Sequence, residues 1–526
     1  MDESIFSKVM NFKKKITKNK TEFFIIILSL FIFSVNILDF PIHADFGLQG
    51  YIGQELIRGY PIFSTAAWTF PPMVYLINAF WMKLFFFLPN YLAMRLGGVI
   101  LGSISILLFY KILTKCTKNN LIPIFSALIL LSFTAFIEFS LGISNKTILL
   151  FFVFSMFFFL FKKYYLFTGV LTSLSFITWQ GGGLFLFGPF SYYFLNKESR
   201  KNYVKFFVGF VIPLILVILY FLSNNLLDKL INYAFIFTLG YKKESIWMRN
   251  TIFTYIRGLV GYYNTELLFI FLALITIPLF LSKSIKRKVS NRINNKELFS
   301  FIFPYFLLFV YTIIDFQGDE DIIPLLPIIS LSSAFILNKI RKKIPLWIVL
   351  SFLMIYGFFP MFQAVYPPNP LIIDAKPAKN INDLFDVMNN YTYPEIVYYS
   401  LFHRRGKEVN LEHQLKLVEY INDNMNDTDT IFSLGAPELI FLSGKRNINN
   451  HLLLSSEFMR VYAMREGITE KLKYKIMEEM PKFIVSWNIP NNKPAIDFLS
   501  IEEFLKNNYK EVNIHPKYVI WQRLEK

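Results

Sequence analysis

Two acids and a histidine, Asp39, His43 and Asp45, fall within seven residues of one another, directly after an apolar run. A carboxylate at a membrane–water border can act as a general base, and Asp39 and Asp45 are such carboxylates. His43 can donate to a phosphate or bind a metal. Each also has a plainer reading. Asp45 stands where an acid caps a helix, Asp39 ends an apolar helix as a surface charge, and His43 is a lone loop histidine. Two cations complete the set. Arg58 closes the helix-like piece that follows and Arg95 enters the next apolar run, so either can stabilise a phosphate as its charge develops. Arg95 equally reads as a side chain snorkelling at the membrane border. Further along, Glu138 ends an apolar run, DFQGDED (Asp315–Asp321) gathers acids, and Lys242, Lys243, Arg249 and Arg257 gather bases.

These residues need elements to position them. The first apolar run, Glu22–Asp39, follows a basic segment with no small-residue cleavage site, which reads as an uncleaved signal anchor. The first loop, residues 40–93, holds a short helix (Leu48–Arg58), a Gly59-Tyr60-Pro61 turn and an apolar segment led by Pro71-Pro72. It is much longer than an ordinary membrane loop.

The chain has 526 residues, is 54% hydrophobic and carries 61 phenylalanines. This composition excludes a soluble globular protein. The formal net charge of +17 would suggest nucleic acid in a soluble chain. Here the bases sit in short loops between apolar runs, where they set orientation in a bilayer, so no nucleic-acid partner is expected. The lone cysteine, Cys116, allows neither a disulfide framework nor a cysteine-based metal site. Candidate spans are Glu22–Asp39, Met94–Leu113, Leu121–Phe139, Thr147–Phe161, Tyr164–Gln180, Gly181–Asn196, Tyr203–Leu222, Leu267–Leu281, Leu298–Ile314, Ile322–Leu337 and Ile344–Phe362. The expectation is a multi-pass α-helical membrane protein of about 11 spans, with 164–196 forming either two spans or a re-entrant hairpin. The basic clusters fall on one side only if Pro71–Leu88 does not cross. That side is the cytoplasm, so the N-terminus is expected inside and the first loop and the tail outside.

The composition shifts near residue 366, which divides the chain into a transmembrane part, 1–366, and an extracytoplasmic α/β domain, 367–526. The tail alternates helix (Glu408–Asn424), strand (Asp429–Leu434), helix (Glu457–Met480), strand (Lys482–Trp487), helix (Ile501–Asn507) and strand (Tyr518–Gln522). Two sequons, at Asn390 and Asn426, lie in it.

The first loop resembles that of the GT-C superfamily, membrane glycosyltransferases that use polyprenyl-phosphate sugars, such as protein O-mannosyltransferases and aminoarabinose transferases. The matching residues are Asp45, Tyr51, Gly59-Tyr60-Pro61 and Pro71-Pro72. Arg95 in MRLGG matches an arginine entering the second span, and IFSLGAPELIFLSGKR, PKFIVSW and the closing WQR resemble prokaryotic, especially archaeal, C-terminal domains. The chain departs from the pattern at Phe46, where many members have Glu, at Asn145, where many have Asp, and at Trp179-Gln180, where relatives often have Thr-Lys. The resemblance implies Asp45 as the catalytic residue, with Tyr51 and Arg95 toward the substrate, and position in the loop adds Asp39, His43 and Arg58 as candidates for substrate binding. It also implies juxtamembrane helices in the first loop. The donor would be a polyprenyl-phosphate sugar and the acceptor a protein, lipid or glycan at the bilayer. No cofactor is expected: acids on two loops bind a divalent cation in oligosaccharyltransferases, and Asn145 removes one of them here. A flippase would need charges inside spans and internal repeats, which are few and absent respectively. A non-catalytic envelope-polymer assembly protein would not depend on one interfacial carboxylate.

Overall fold

The computed structural model describes residues 20–35, 37–38, 41–66, 69–236, 295–314, 319–341, 345, 348, 411–426, 428–448, 452, 467–487, 494–515 and 518–524. Asp39, the 242–257 bases, the spans Leu267–Leu281 and Ile344–Phe362, the Asn390 sequon and the 366 boundary lie outside these residues.

Long apolar runs form helices because hydrocarbon leaves a backbone no partner but itself. Among the described residues, Asn90–Cys116, Lys197–Ser223 and Asp321–Ile340 are long and apolar enough to cross a membrane. The expected span Leu121–Phe139 is built as a bent pair, Leu121–Ser132 and Thr134–Leu141, at 65° to each other, which is either a broken span or a re-entrant loop. Phe133 turns extended at the break, and the Ser132 hydroxyl donates back to the Ile129 carbonyl at 2.7 Å, competing with the helix ladder.

Side-chain pairs sort the bundle into two ends. At one, Lys111 meets Glu22 at 2.9 Å and Asn119 meets Asn338 at 3.0 Å. At the other, Arg95 donates to the Ile37 carbonyl. Residues 20–35 and Asn90–Cys116 are thus antiparallel, and the chain between Leu38 and Asn90 leaves and re-enters the same end. The Pro-led helix, Met73–Leu84, lies within this stretch. The 164–196 stretch runs from Tyr165 to Trp179 and back to Ser199, whose hydroxyl lies 3.0 Å from that of Tyr165. Glycines allow its close packing: a Cβ on Gly169 would fall 2.0 Å from the Phe206 carbonyl oxygen.

The tail carries a four-stranded sheet: β1 (Ile431–Ser433), β2 (Phe483–Trp487), β3 (Tyr509–His515) and β4 (Tyr518–Arg523), in order β1-β2-β4-β3. The β1–β2 pairing is parallel and the others antiparallel. Strand β3 and the helices Pro437–Ser443 and Pro494–Leu499 were not in the expected alternation, and the Glu457–Met480 helix begins, within the described residues, only at Thr469, after Gly467 at φ +61°. Alternation along the strands gives the sheet two apolar faces. Phe432 and Ile484 join a core within the tail, while Ile431, Phe483, Val485 and Ile520 join the core that continues into the membrane helices.

Candidate functional site

The first loop folds into a helix, Ala44–Ile57, that lies between the bundle and the tail. Its inner faces are nearly side-chain-free where they must be. A Cβ on Gly47 would fall 2.4 Å from the Glu438 Cα, and one on Gly50 would fall 2.6 Å from the Phe441 ring. Glycine at these positions lets the helix lie directly on Pro437–Ser443.

His43 is the N-cap, and its carbonyl accepts the Gly47 N–H at 2.8 Å. Its Nε2 pairs with Glu138 Oε1 at 2.5 Å. The ring is sandwiched by aromatics, near-parallel to Phe139 and edge-on to Phe46. Asp45 is half-buried in the first turn of the helix, where its charge also suits the helix dipole. It faces the Pro-led helix closely enough that its carboxylate, after burial itself, holds the Tyr75 phenol well above its usual range. Gln49 follows one turn after Asp45 on that face, and Gly53 one turn later meets Asn78, Ala79 and Met82. Gln49 and Asn78 are fully buried, and neither amide has a hydrogen-bond partner among the described residues. Sequence reasoning missed both: a glutamine and an asparagine in apolar helices carry no motif.

The other expected residues lie apart from this row. Tyr51 is buried toward the tail, its hydroxyl accepting the Asn447 N–H at 3.3 Å. Burial, then Glu55, pushes its phenol up. Arg58 donates to Glu55 at 2.6 Å and to the Gly444 carbonyl at 2.5 Å, so its guanidinium joins loop to tail. Arg95 is fully buried rather than snorkelling.

A second polar group was not expected as a unit. Lys146, in the first turn of Asn145–Phe161, pairs with Asp321 at 2.9 Å and lies 3.3 Å from the centre of the Trp179 ring. All three are buried. Gln180 next to the tryptophan donates to the Thr69 carbonyl at 2.9 Å. The segments at residues 41–66, 69–72, 138–146, 179–180 and 319–325 therefore converge on one end of the bundle. Asp321, the last acid of DFQGDED, is engaged by an ammonium. Among the described residues no group of three or more His, Cys, Asp or Glu side chains gathers closely enough to hold a metal ion.

This fold has matches among solved structures. One of them is ArnT from Cupriavidus metallidurans, crystallised in the apo state: it is 12% identical, with a TM-score of 0.60 over 95% of this chain and 97% of that one. At this identity what is shared is the fold. No protein-family model matches the chain, and no curated protein matches it in sequence.

Proposed function

We propose that the protein is a GT-C-type glycosyltransferase that moves a sugar from a polyprenyl-phosphate donor to an acceptor on the extracytoplasmic side of the membrane. The observation that carries this reading is the likeness over nearly the whole chain to ArnT, an aminoarabinose transferase. Asp45, the acid picked out by the loop pattern, lies at the head of that loop helix.

In the proposed reaction an acceptor hydroxyl attacks the anomeric carbon while Asp45 takes its proton. The bond between that carbon and the phosphate oxygen breaks with its electron pair, leaving polyprenyl phosphate and an inverted sugar linkage. His43, held by Glu138, is placed to donate to a polar group beside Asp45. The amides of Gln49 and Asn78 support the reading as well. A buried amide without a partner costs roughly 1–3 kcal/mol, and sugar hydroxyls are the kind of group that would satisfy it. Arg95 remains the proposed cation nearest the end of the first helix, and the acceptor a protein, lipid or glycan.

The test is transfer from a radiolabelled polyprenyl-phosphate sugar by purified protein in membranes. Asp45→Asn keeps size and polarity but loses the base, so turnover should fall about 10²–10⁴-fold with donor binding little changed. Transfer at the wild-type rate would remove Asp45 from the mechanism.

A further inference from the structure

We propose that Gln414, in the tail, is a positioning residue for the start of the loop helix, and that the docked tail thereby sets the geometry of His43 and Asp45. For its effect on turnover the inference rests on the transferase reading above. Its effect on the backbone does not.

Ile42 lies just outside the loop helix, so neither its N–H nor its C=O has a helical partner, and both must be satisfied when buried. Gln414, from the Leu411–Asp423 helix, satisfies both. Its Oε1 accepts the Ile42 N–H at 2.8 Å, and its Nε2 donates to the Ile42 carbonyl at 2.8 Å. Only a carboxamide presents a donor and an acceptor side by side on one planar end. The second Nε2 hydrogen goes to the Tyr518 hydroxyl at 3.0 Å. This fixes the orientation of the amide, because the flipped group would set its NH₂ against the Ile42 N–H.

The clamp is itself anchored. The Tyr518 hydroxyl donates to Glu438 Oε1 at 2.8 Å, and the Trp487 indole N–H donates to the same oxygen at 2.8 Å. Tyr518 and Trp487 belong to paired strands β4 and β2. The Glu438 backbone in turn lies against Gly47, one turn into the loop helix. Gln414 is fully buried, as is Glu438. The chain from Ile42 to Gly47 is therefore gripped on the tail side by Gln414 and Glu438, and on the bundle side by Glu138 through His43. Asp45 sits between the two grips, and no membrane helix supplies the tail-side one.

The experiment uses the full chain in nanodiscs. Gln414→Leu keeps the size and removes all three bonds. Tyr518→Phe, a gentler change, removes only the link between Gln414 and Glu438. Backbone hydrogen exchange should accelerate about tenfold or more across residues 42–48 in Gln414→Leu, and less in Tyr518→Phe, with Pro437–Ser443 and the strands as protected as in the wild type. A misplacement of about 1 Å can cost on the order of 10²-fold in rate. The turnover number should therefore fall by that order in Gln414→Leu while the donor KM stays within about twofold. Wild-type exchange at 42–48 overturns the proposal. So does loss of protection throughout the tail in both variants, which would make Gln414 a general docking residue. If the wild type transfers no polyprenyl-phosphate sugar, the transferase reading fails, and the exchange result alone decides the inference.

Discussion

At the scale of single residues, the Lys146–Asp321 pair shows what burial does to charge. Both carboxylate and ammonium have left water, and their attraction must repay that desolvation. The Trp179 face adds a cation–π contact, which is worth more in a dry site than an exposed one. Removing one partner leaves the other charged and buried. Lys146→Met should therefore destabilise the protein by about 3–5 kcal/mol, whereas Lys146→Met combined with Asp321→Asn should recover most of the loss. Thermal unfolding in detergent reads this directly, and a double variant as unstable as the single one would show that the pair is not the source. Nothing in the sequence couples these residues. Lys146 reads as a loop cation and Asp321 as the end of an acid run, and only the fold brings them together. Asp45 was different. The sequence singles it out as a candidate because an acid just past a first span, a following tyrosine and a Pro-Pro step form a pattern of local spacing. Tyr51 belongs to the same pattern and Arg58 caps the same loop helix, yet their contacts run to the Asn447 N–H and the Gly444 carbonyl, nearly 400 residues away in sequence. Sequence spacing fixes which face of a helix a residue occupies but not what packs there.

At the scale of elements, the loop helix is built to be covered. Gly47→Ala would place a methyl against the Glu438 backbone, which cannot swing away as a side chain could. Overpacking of this kind typically costs 1–3 kcal/mol. Expected is a tail that undocks from the loop helix, seen as faster exchange across both Ala44–Ile57 and Pro437–Ser443. Gly59→Ala is the control, since no atom lies within 4 Å of its Cβ position and only the φ of +93° is strained. Equal effects at the two glycines would mean that backbone strain, and not contact, sets the cost. The elements themselves were legible to different degrees. Strands β1, β2 and β4 announce themselves as short apolar runs. Strand β3, YKEVNIH, does not, because it is an edge strand whose charged residues are tolerated only where one side is open. The bend at Phe133 was hidden because the Ser132 hydroxyl beside it is one polar group in a largely apolar run.

At the scale of the molecule, the two ends of the bundle carry opposite chemistry. One end gathers Lys111, Lys162, Lys163, Arg200 and Lys339, each at the end of a helix or in the turn beyond it. The other gathers the loop helix, the Lys146–Asp321 pair, Trp179 and the tail. Short loops rich in Lys and Arg stay in the cytoplasm. We propose on that rule that the basic end lies in the cytoplasm, and the loop helix and tail on the far side. The contact between Arg95 and Ile37 makes this assignment consistent, because it returns the chain to the loop end after residues 38–94 without a net crossing. Cys116 is buried, so a serine in its place gives a background free of thiols. Single cysteines then go at Asn120, exposed beyond the basic end of the second long helix, and at Glu470, exposed on the tail. In intact cells a membrane-impermeant maleimide should label Glu470→Cys and leave Asn120→Cys unlabelled until the membrane is opened. The reverse pattern, Asn120→Cys labelled in intact cells and Glu470→Cys protected, would invert the bundle and carry the loop helix inside with the tail it packs on. The catalytic assignment of Asp45 to the extracytoplasmic face would then fall with the topology.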